Sequence, residues 1–185
     1  MIYAFAIEPG GFAEGFLRPR SVPGFTEAAA GEPDPAPEER ERPLVLVVDD
    51  EASIRLLCRV NLRLEGIDTV EAADGDAALR MARELGPDLV LLDVMMPQMD
   101  GWQVATELAD GEATREIPIV FLTARAESAD FLRGYELGAV GYVSKPFDPT
   151  ALGSTLHGVL ERLRRGERDA LRRERIEELG GPSHG

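Results

Sequence analysis

From Leu44 onward the apolar residues fall into two alternating textures. LVLVV (44–48), DLVLL (88–92) and IPIVFL (117–122) are nearly unbroken apolar runs. They are too short for ordinary helices and suit strands buried on both faces. IDTVEA (67–72) and AVGYV (139–143) supply two further strands. Between the strands the spacing becomes helical. Residues 51–64 carry Ile54, Leu57, Cys58 and Leu62 on one side, and residues 75–85 carry Ala77, Ala78, Met81, Ala82 and Leu85 until Gly86-Pro87 stops them. Residues 100–110, 127–137 and 148–164 complete five predicted helices. Strict strand–helix alternation implies right-handed crossovers and a parallel sheet with helices on both sides.

The expected fold is therefore an α/β, doubly wound, five-stranded parallel sheet of order 2-1-3-4-5, flavodoxin-like, occupying residues 43–164. In such sheets the ligand site lies beyond the carboxyl ends of the strands, where the strand order reverses. The flanks read differently. Residues 1–42 hold eight Gly and Pro residues between Pro9 and Gly31, followed by GEPDPAPEERERP. That stretch cannot bury enough apolar area to offset its ordering entropy. It is expected to be a disordered leader, or the product of a start codon assigned too far upstream. RGERDALRRERIEEL (165–179) is expected to form an Arg/Glu-rich helical tail ahead of a disordered end. Its apolar positions Ala170, Leu171, Ile176 and Leu179 keep no sustained heptad. A solvated helix with i,i+4 ion pairs is expected rather than a docking element. With only some twenty residues after 164, no output domain is expected.

Charge narrows the possible partners. The net charge is −14, and residues 43–160 hold 20 acids against 9 bases. Duplex binding needs a cationic surface to displace counterions, so DNA binding is not expected. An acidic body attracts a basic partner or a cation instead. The single cysteine, Cys58, excludes an intrachain disulfide and falls on the apolar side of its helix, as buried filling. No window supplies the roughly 20 apolar residues of a membrane span. The N-terminus MIYAFAIEPGG lacks a basic leader. A cytoplasmic location is the expectation.

The strand ends carry the candidate chemistry. Strand one runs into Asp49-Asp50-Glu51, strand three into Asp93, strand four into Thr123, and strand five is followed by Lys145-Pro146. With strands one and three adjacent, Asp49, Asp50 and Asp93 converge. Like charges that close disfavour each other's ionisation, and a hard cation relieves them. Mg²⁺ takes oxygen ligands at about 2.0–2.1 Å and keeps several waters, which suits one or two carboxylates. Thr123 adds a hydroxyl donor and Lys145 a point charge. A nucleophilic carboxylate inside an electropositive cradle is what phosphoryl transfer requires, and Asp93 is the best nucleophile. Lys145 is the single lysine beside 19 arginines, and a compact ammonium is not interchangeable with a planar guanidinium.

VLVVDDE (45–51), LVLLDVMMPQMDG (89–101), IVFLTA (119–124) and GYVSKPF (141–147) together resemble the response-regulator receiver family over about residues 43–164. The resemblance implies a phosphorylation-controlled switch of a two-component system. Asp93 is then the phosphoacceptor, and Asp49, Asp50, Asp93 and the backbone carbonyl of Met95 are the Mg²⁺ ligands. Thr123 and Lys145 hold the phosphoryl group, Tyr142 is the switch aromatic that follows Thr123, and the Lys145–Pro146 bond is cis. A histidine kinase or phosphotransfer protein is the implied donor. Output passes to an unknown protein target, along the face made by residues 127–137, 139–143 and 148–164, through which a homodimer also fits. Met95 and Arg125 stand at variable rim positions whose bulk would limit hydrolytic water. No enzymatic turnover beyond its own phosphorylation and dephosphorylation is expected: a phosphatase working through an aspartyl phosphate places a second acid two residues after the nucleophile, and that residue is Met95. The remaining alternative is a receiver-like interaction module that is never phosphorylated.

Overall fold

The computed structural model describes residues 40–124 and 133–178. Its strands are β1 (Leu44–Val48), β2 (Asp68–Ala72), β3 (Leu89–Asp93), β4 (Ile119–Thr123) and β5 (Ala139–Ser144). Its helices are α1 (Ala52–Leu64), α2 (Gly75–Leu85), α3 (Gly101–Asp110), α4 (Pro149–Arg164) and α5 (Arg168–Glu178), and residues 133–136 are also helical. The sheet order is β2-β1-β3-β4-β5 and every pairing is parallel, as the alternation predicts. The predicted helix 127–137 lies outside the described residues except at its end, as does most of the leader.

Successive strand residues feed opposite core layers, because side chains alternate across a sheet. Leu46, Val48, Val90, Leu92, Ile119 and Phe121 pack with α2, α3 and Tyr135. Val45, Val47, Leu89, Leu91, Val120 and Leu122 pack with α1 and α4. All five residues of β3 and of β4 are buried, which is why they read as unbroken apolar runs. Two strands start later than their runs. Asp88 is a side-chain acceptor, its carboxylate taking the Leu44 amide at 2.7 Å. Ile117 closes a turn onto the Thr114 carbonyl, and Pro118 has no amide to give.

Local chemistry sets the helix starts. Asp74 accepts the Ala77 amide, Asp148 accepts the Thr150 amide ahead of Pro149, and Asp100 forms a reciprocal capping box with Gln103. At α1 the cap position is Glu51, which makes no side-chain cap. Asp49 and Asp50 are therefore not spent on capping.

The tail corrects one expectation. α5 is helical, but it is not solvated all round: it packs against β5 and α4, and Leu171 is 4% exposed within the core layer of Val140, Leu156 and Leu160. Arg162 reaches across the intervening turn to Glu167 and Glu174 at 2.9 and 2.7 Å. At the other end, Arg40 donates to the carbonyls of Leu85 and Gly86, where α2 leaves acceptors without helical partners. Among the described residues no helix is long and apolar enough to cross a membrane.

Candidate functional site

In-register parallel pairing aligns the strand tips. Val48 lies beside Leu92, Asp93 beside Leu122, and Thr123 beside Ser144. The residues that end or follow β1, β3, β4 and β5 thus meet at one edge of the sheet. Asp49, Asp50 and Asp93 each present a carboxylate oxygen, and the three oxygens lie within 4.8 Å of one another. Asp49 is 0% exposed and Asp93 3%, whereas Asp50 is open to solvent.

Lys145 links the two buried acids. Its Nζ lies 2.8 Å from Asp49 Oδ2 and 2.9 Å from Asp93 Oδ2, so one ammonium bridges β1 and β3 from the end of β5. The Lys145 amide donates to the Thr123 carbonyl at 2.8 Å, which continues the β4–β5 ladder to the point where the lysine side chain departs. The Lys145–Pro146 peptide is cis, as the resemblance implies.

Burial sets the acidities. Desolvation raises the Asp49 carboxyl above its ordinary range, although its hydrogen bonds with Lys145 and the Glu51 amide pull the other way. Burial by itself would lower the Lys145 ammonium. The two carboxylates outweigh it, and Lys145 stands above its ordinary value. Asp49 Oδ1 takes the Glu51 amide at 2.8 Å, and Asp93 Oδ1 takes the Met95 amide at 3.2 Å. Hard oxygen donors gathered this closely, with like charges to neutralise, fit a divalent Mg²⁺. The Met95 side chain is 72% exposed at the rim. Arg125 lies outside the described residues.

The remaining predicted residues are placed nearby. Thr123 is buried at the tip of β4. Tyr142 is half-buried on β5 opposite Phe121, its ring stacked on Phe121 at 5.4 Å between centroids. Trp102 also packs against Phe121, with centroids 4.6 Å apart and the rings tilted by 42°. Cys58 is fully buried and its thiol is pushed up to about 12, chiefly by burial.

One contributor escapes a reading of the sequence. Arg55, one turn into α1, donates to the carbonyls of Asp49 and Asp50 at 2.7 and 3.0 Å and pairs with Glu71 at 3.6 Å. It fixes the backbone of the acidic turn. Its only sequence signal is an arginine at the helix N-terminus, where the helix dipole disfavours cations. At Gly101, the last residue of the LVLLDVMMPQMDG motif, a Cβ would stand 2.2 Å from the Asp93 carbonyl oxygen and 2.8 Å from Val94 Cα. Only glycine lets α3 begin so close to the acceptor strand.

A doubly wound sheet with paired acids, a central aspartate and a lysine at its carboxyl edge points to a signalling domain. Comparison with known proteins agrees. The response regulator receiver domain family matches residues 45–157, and the chain belongs to that family. Its relatives include the probable transcriptional regulator ycf27 of Porphyridium aerugineum, 43% identical over 119 residues, covering 64% of this chain and 48% of the relative. The phosphate regulon transcriptional regulatory protein PhoB of Escherichia coli (strain K12) is 44% identical over 119 residues, covering 64% of this chain and 52% of PhoB. Among solved structures, the chemotaxis protein CheY4 of Vibrio cholerae superposes with a TM-score of 0.60 at 34% identity, covering 64% of this chain and 98% of that one. The chain spans about half the length of the curated relatives it matches.

Proposed function

We propose that the chain is a phosphorylation-controlled switch that takes a phosphoryl group onto Asp93 from a histidine kinase or phosphotransfer protein. The observation that carries this reading is the bridge of Lys145 Nζ between Asp49 and Asp93 inside a three-carboxylate cluster. A carboxylate oxygen of Asp93 attacks the phosphorus. The donor's P–N bond breaks, or the P–O bond of a small acyl phosphate, and the leaving imidazole or acetate departs with that bond's electron pair. Lys145 releases its hold on Asp93 to meet the phosphoryl oxygens, and the Thr123 hydroxyl donates to another. Asp49, Asp50, Asp93 and the Met95 carbonyl would hold Mg²⁺, which when bound supplies positive charge for the phosphoryl oxygens.

An apolar row on α1 supports docking of a protein donor. Leu56, Val60 and Leu64 recur every four residues and are all exposed, Leu64 by 80%. Contiguous exposed apolar surface of this kind marks interaction sites, and this row rises from the acidic turn that carries Asp49 and Asp50. Output through protein contacts suits the acidic body better than output through DNA, and a cytoplasmic location suits a cytosolic phosphodonor.

Acetyl phosphate with Mg²⁺, followed by intact-mass spectrometry, tests the reading. One phosphoryl group is expected on the wild type, none on Asp93→Asn, and none after chelation of the metal. A wild type that gains no mass is instead an interaction module that is never phosphorylated.

A further inference from the structure

We propose that α5 is an intramolecular clamp on Tyr142, so that docking of α5 and occupation of the Asp93 site are thermodynamically coupled. The coupling half rests on the phosphoacceptor reading above; the clamp half does not.

Tyr142 sits in an aromatic stack that leads from the site to the tail. Its ring lies over Phe121, two residues before Thr123 on β4, and meets the buried Tyr135 ring edge-on, with centroids 5.6 Å apart at 75°. The space it occupies exists because residue 134 is glycine: a Cβ there would stand 1.7 Å from the Tyr142 hydroxyl oxygen. Residue 135 is held from two sides, its ring by Tyr142 and its carbonyl by the Arg172 guanidinium of α5. Two further contacts fix α5. Leu171 enters the core layer beside Val140, and Arg168 donates to the Glu116 carbonyl at 2.8 Å and pairs with its carboxylate at 3.0 Å.

A shift of Tyr142 away from Gly134, drawn by movement of Thr123 toward a phosphoryl group, gives up the edge contact with Tyr135. Arg172 opposes that shift through Tyr135 as long as α5 is docked, and Leu171, in the core layer on the other face of the sheet, keeps it docked. Occupation of Asp93 therefore loosens α5. Because coupling between sites is reciprocal, loosening α5 favours occupation of Asp93.

The test uses the full chain in two arms. In the first, without ligand, 3-fluorotyrosine is incorporated and the ¹⁹F resonances of wild type, Leu171→Ala, Arg172→Ala and Arg172→Lys are compared, with circular dichroism confirming the fold. The Tyr142 resonance is expected to move in both alanine variants and to return part-way in Arg172→Lys. An unmoved Tyr142 resonance in a folded Arg172→Ala protein overturns the clamp. In the second arm, Mg²⁺ and beryllofluoride, a phosphoryl mimic, are added and hydrogen exchange is followed at amides 168–174. Their protection is expected to fall by at least roughly five-fold, and beryllofluoride to bind Arg172→Ala tighter by the same factor. Unchanged or increased protection, with binding evident at the amides around Asp93, overturns the coupling. No binding to the wild type overturns the phosphoacceptor reading and the coupling with it, while the first arm still decides the clamp.

Discussion

Two glycine-to-alanine substitutions in helices should have opposite signs, and the difference measures how tightly the acceptor strand is packed. Gly101 opens α3 against the end of β3, where a Cβ would lie 2.2 Å from the Asp93 carbonyl oxygen and 2.8 Å from Val94 Cα. Both neighbours are backbone, so no side chain can rotate away. Relief requires the start of α3 to move by about an ångström, against the Gly101 amide bond to the Val94 carbonyl (3.0 Å) and the Asp100–Gln103 capping box. Overpacking of this kind costs about 1–3 kcal/mol, and weakening one hydrogen bond adds about 1 kcal/mol. The better helix propensity of alanine returns at most about 1 kcal/mol. Gly101→Ala should therefore lose roughly 1–3 kcal/mol. Gly158, exposed in the middle of α4, has nothing within 4 Å of an added Cβ. Gly158→Ala should gain roughly 0.5–1 kcal/mol from helix propensity alone. Urea unfolding followed by circular dichroism, with unchanged slopes, reads both. A Gly101→Ala protein within about 0.5 kcal/mol of wild type, the scatter of surface substitutions, would refute the close approach of α3 to the Asp93 carbonyl.

Two further outcomes follow from the acidities. Cys58, pushed up to about 12 and fully buried, should resist iodoacetamide at pH 8 in the native chain and react within minutes in urea; fast native labelling would contradict its burial. Lys145→Met leaves Asp49 and Asp93 facing each other without the ammonium and should cost about 2–3 kcal/mol without divalent ions, less than for a fully buried pair because Lys145 is 18% exposed. The pH sign is the same for the two partners, because both pKa values are raised on folding. Lys145, raised above 10.5, keeps its contribution below that value and loses it as pH climbs through the folded-state pKa. Asp49, raised by burial, holds its proton more tightly when folded, so stability present at low pH is lost as pH rises through the raised value. Without Lys145 that loss should deepen as pH rises above the ordinary carboxylate range, and millimolar Mg²⁺ should reverse it; calorimetry over a pH series from that range upward that shows parallel profiles for both proteins would rule this out.

The legible features share a property: each depends on residues close in sequence or on a pattern that repeats. The alternation of apolar runs with helical spacings specifies a parallel doubly wound sheet, and parallel registry then puts Asp49, Asp93, Thr123 and Lys145 at one edge. The illegible features are contacts between distant segments with no periodic signature. Gly134 looks like any helical glycine until Tyr142 lies over it, and the Arg55 contacts depend on where the acidic turn folds back. In the tail the apolar anchor among the described side chains is Leu171, and its docking depends on guanidinium groups reaching carbonyls 37 and 52 residues away.

Lys145 stands between these cases. A chain that uses arginine at 19 positions and lysine at one marks that position without saying what it touches. The structure supplies the reason. Asp49 and Asp93 belong to adjacent strands, and their Oδ2 atoms both lie within 2.9 Å of a single nitrogen. An ammonium presents three donors from one point and can serve both acids at once. A guanidinium spreads its donors across a plane suited to one carboxylate in a fork. A point charge can also transfer from a carboxylate to a phosphoryl oxygen by a small rotation of the lysine stem, whereas a bidentate fork would have to break two bonds together. The one cation that is not an arginine is the one whose shape the carboxylate pair requires.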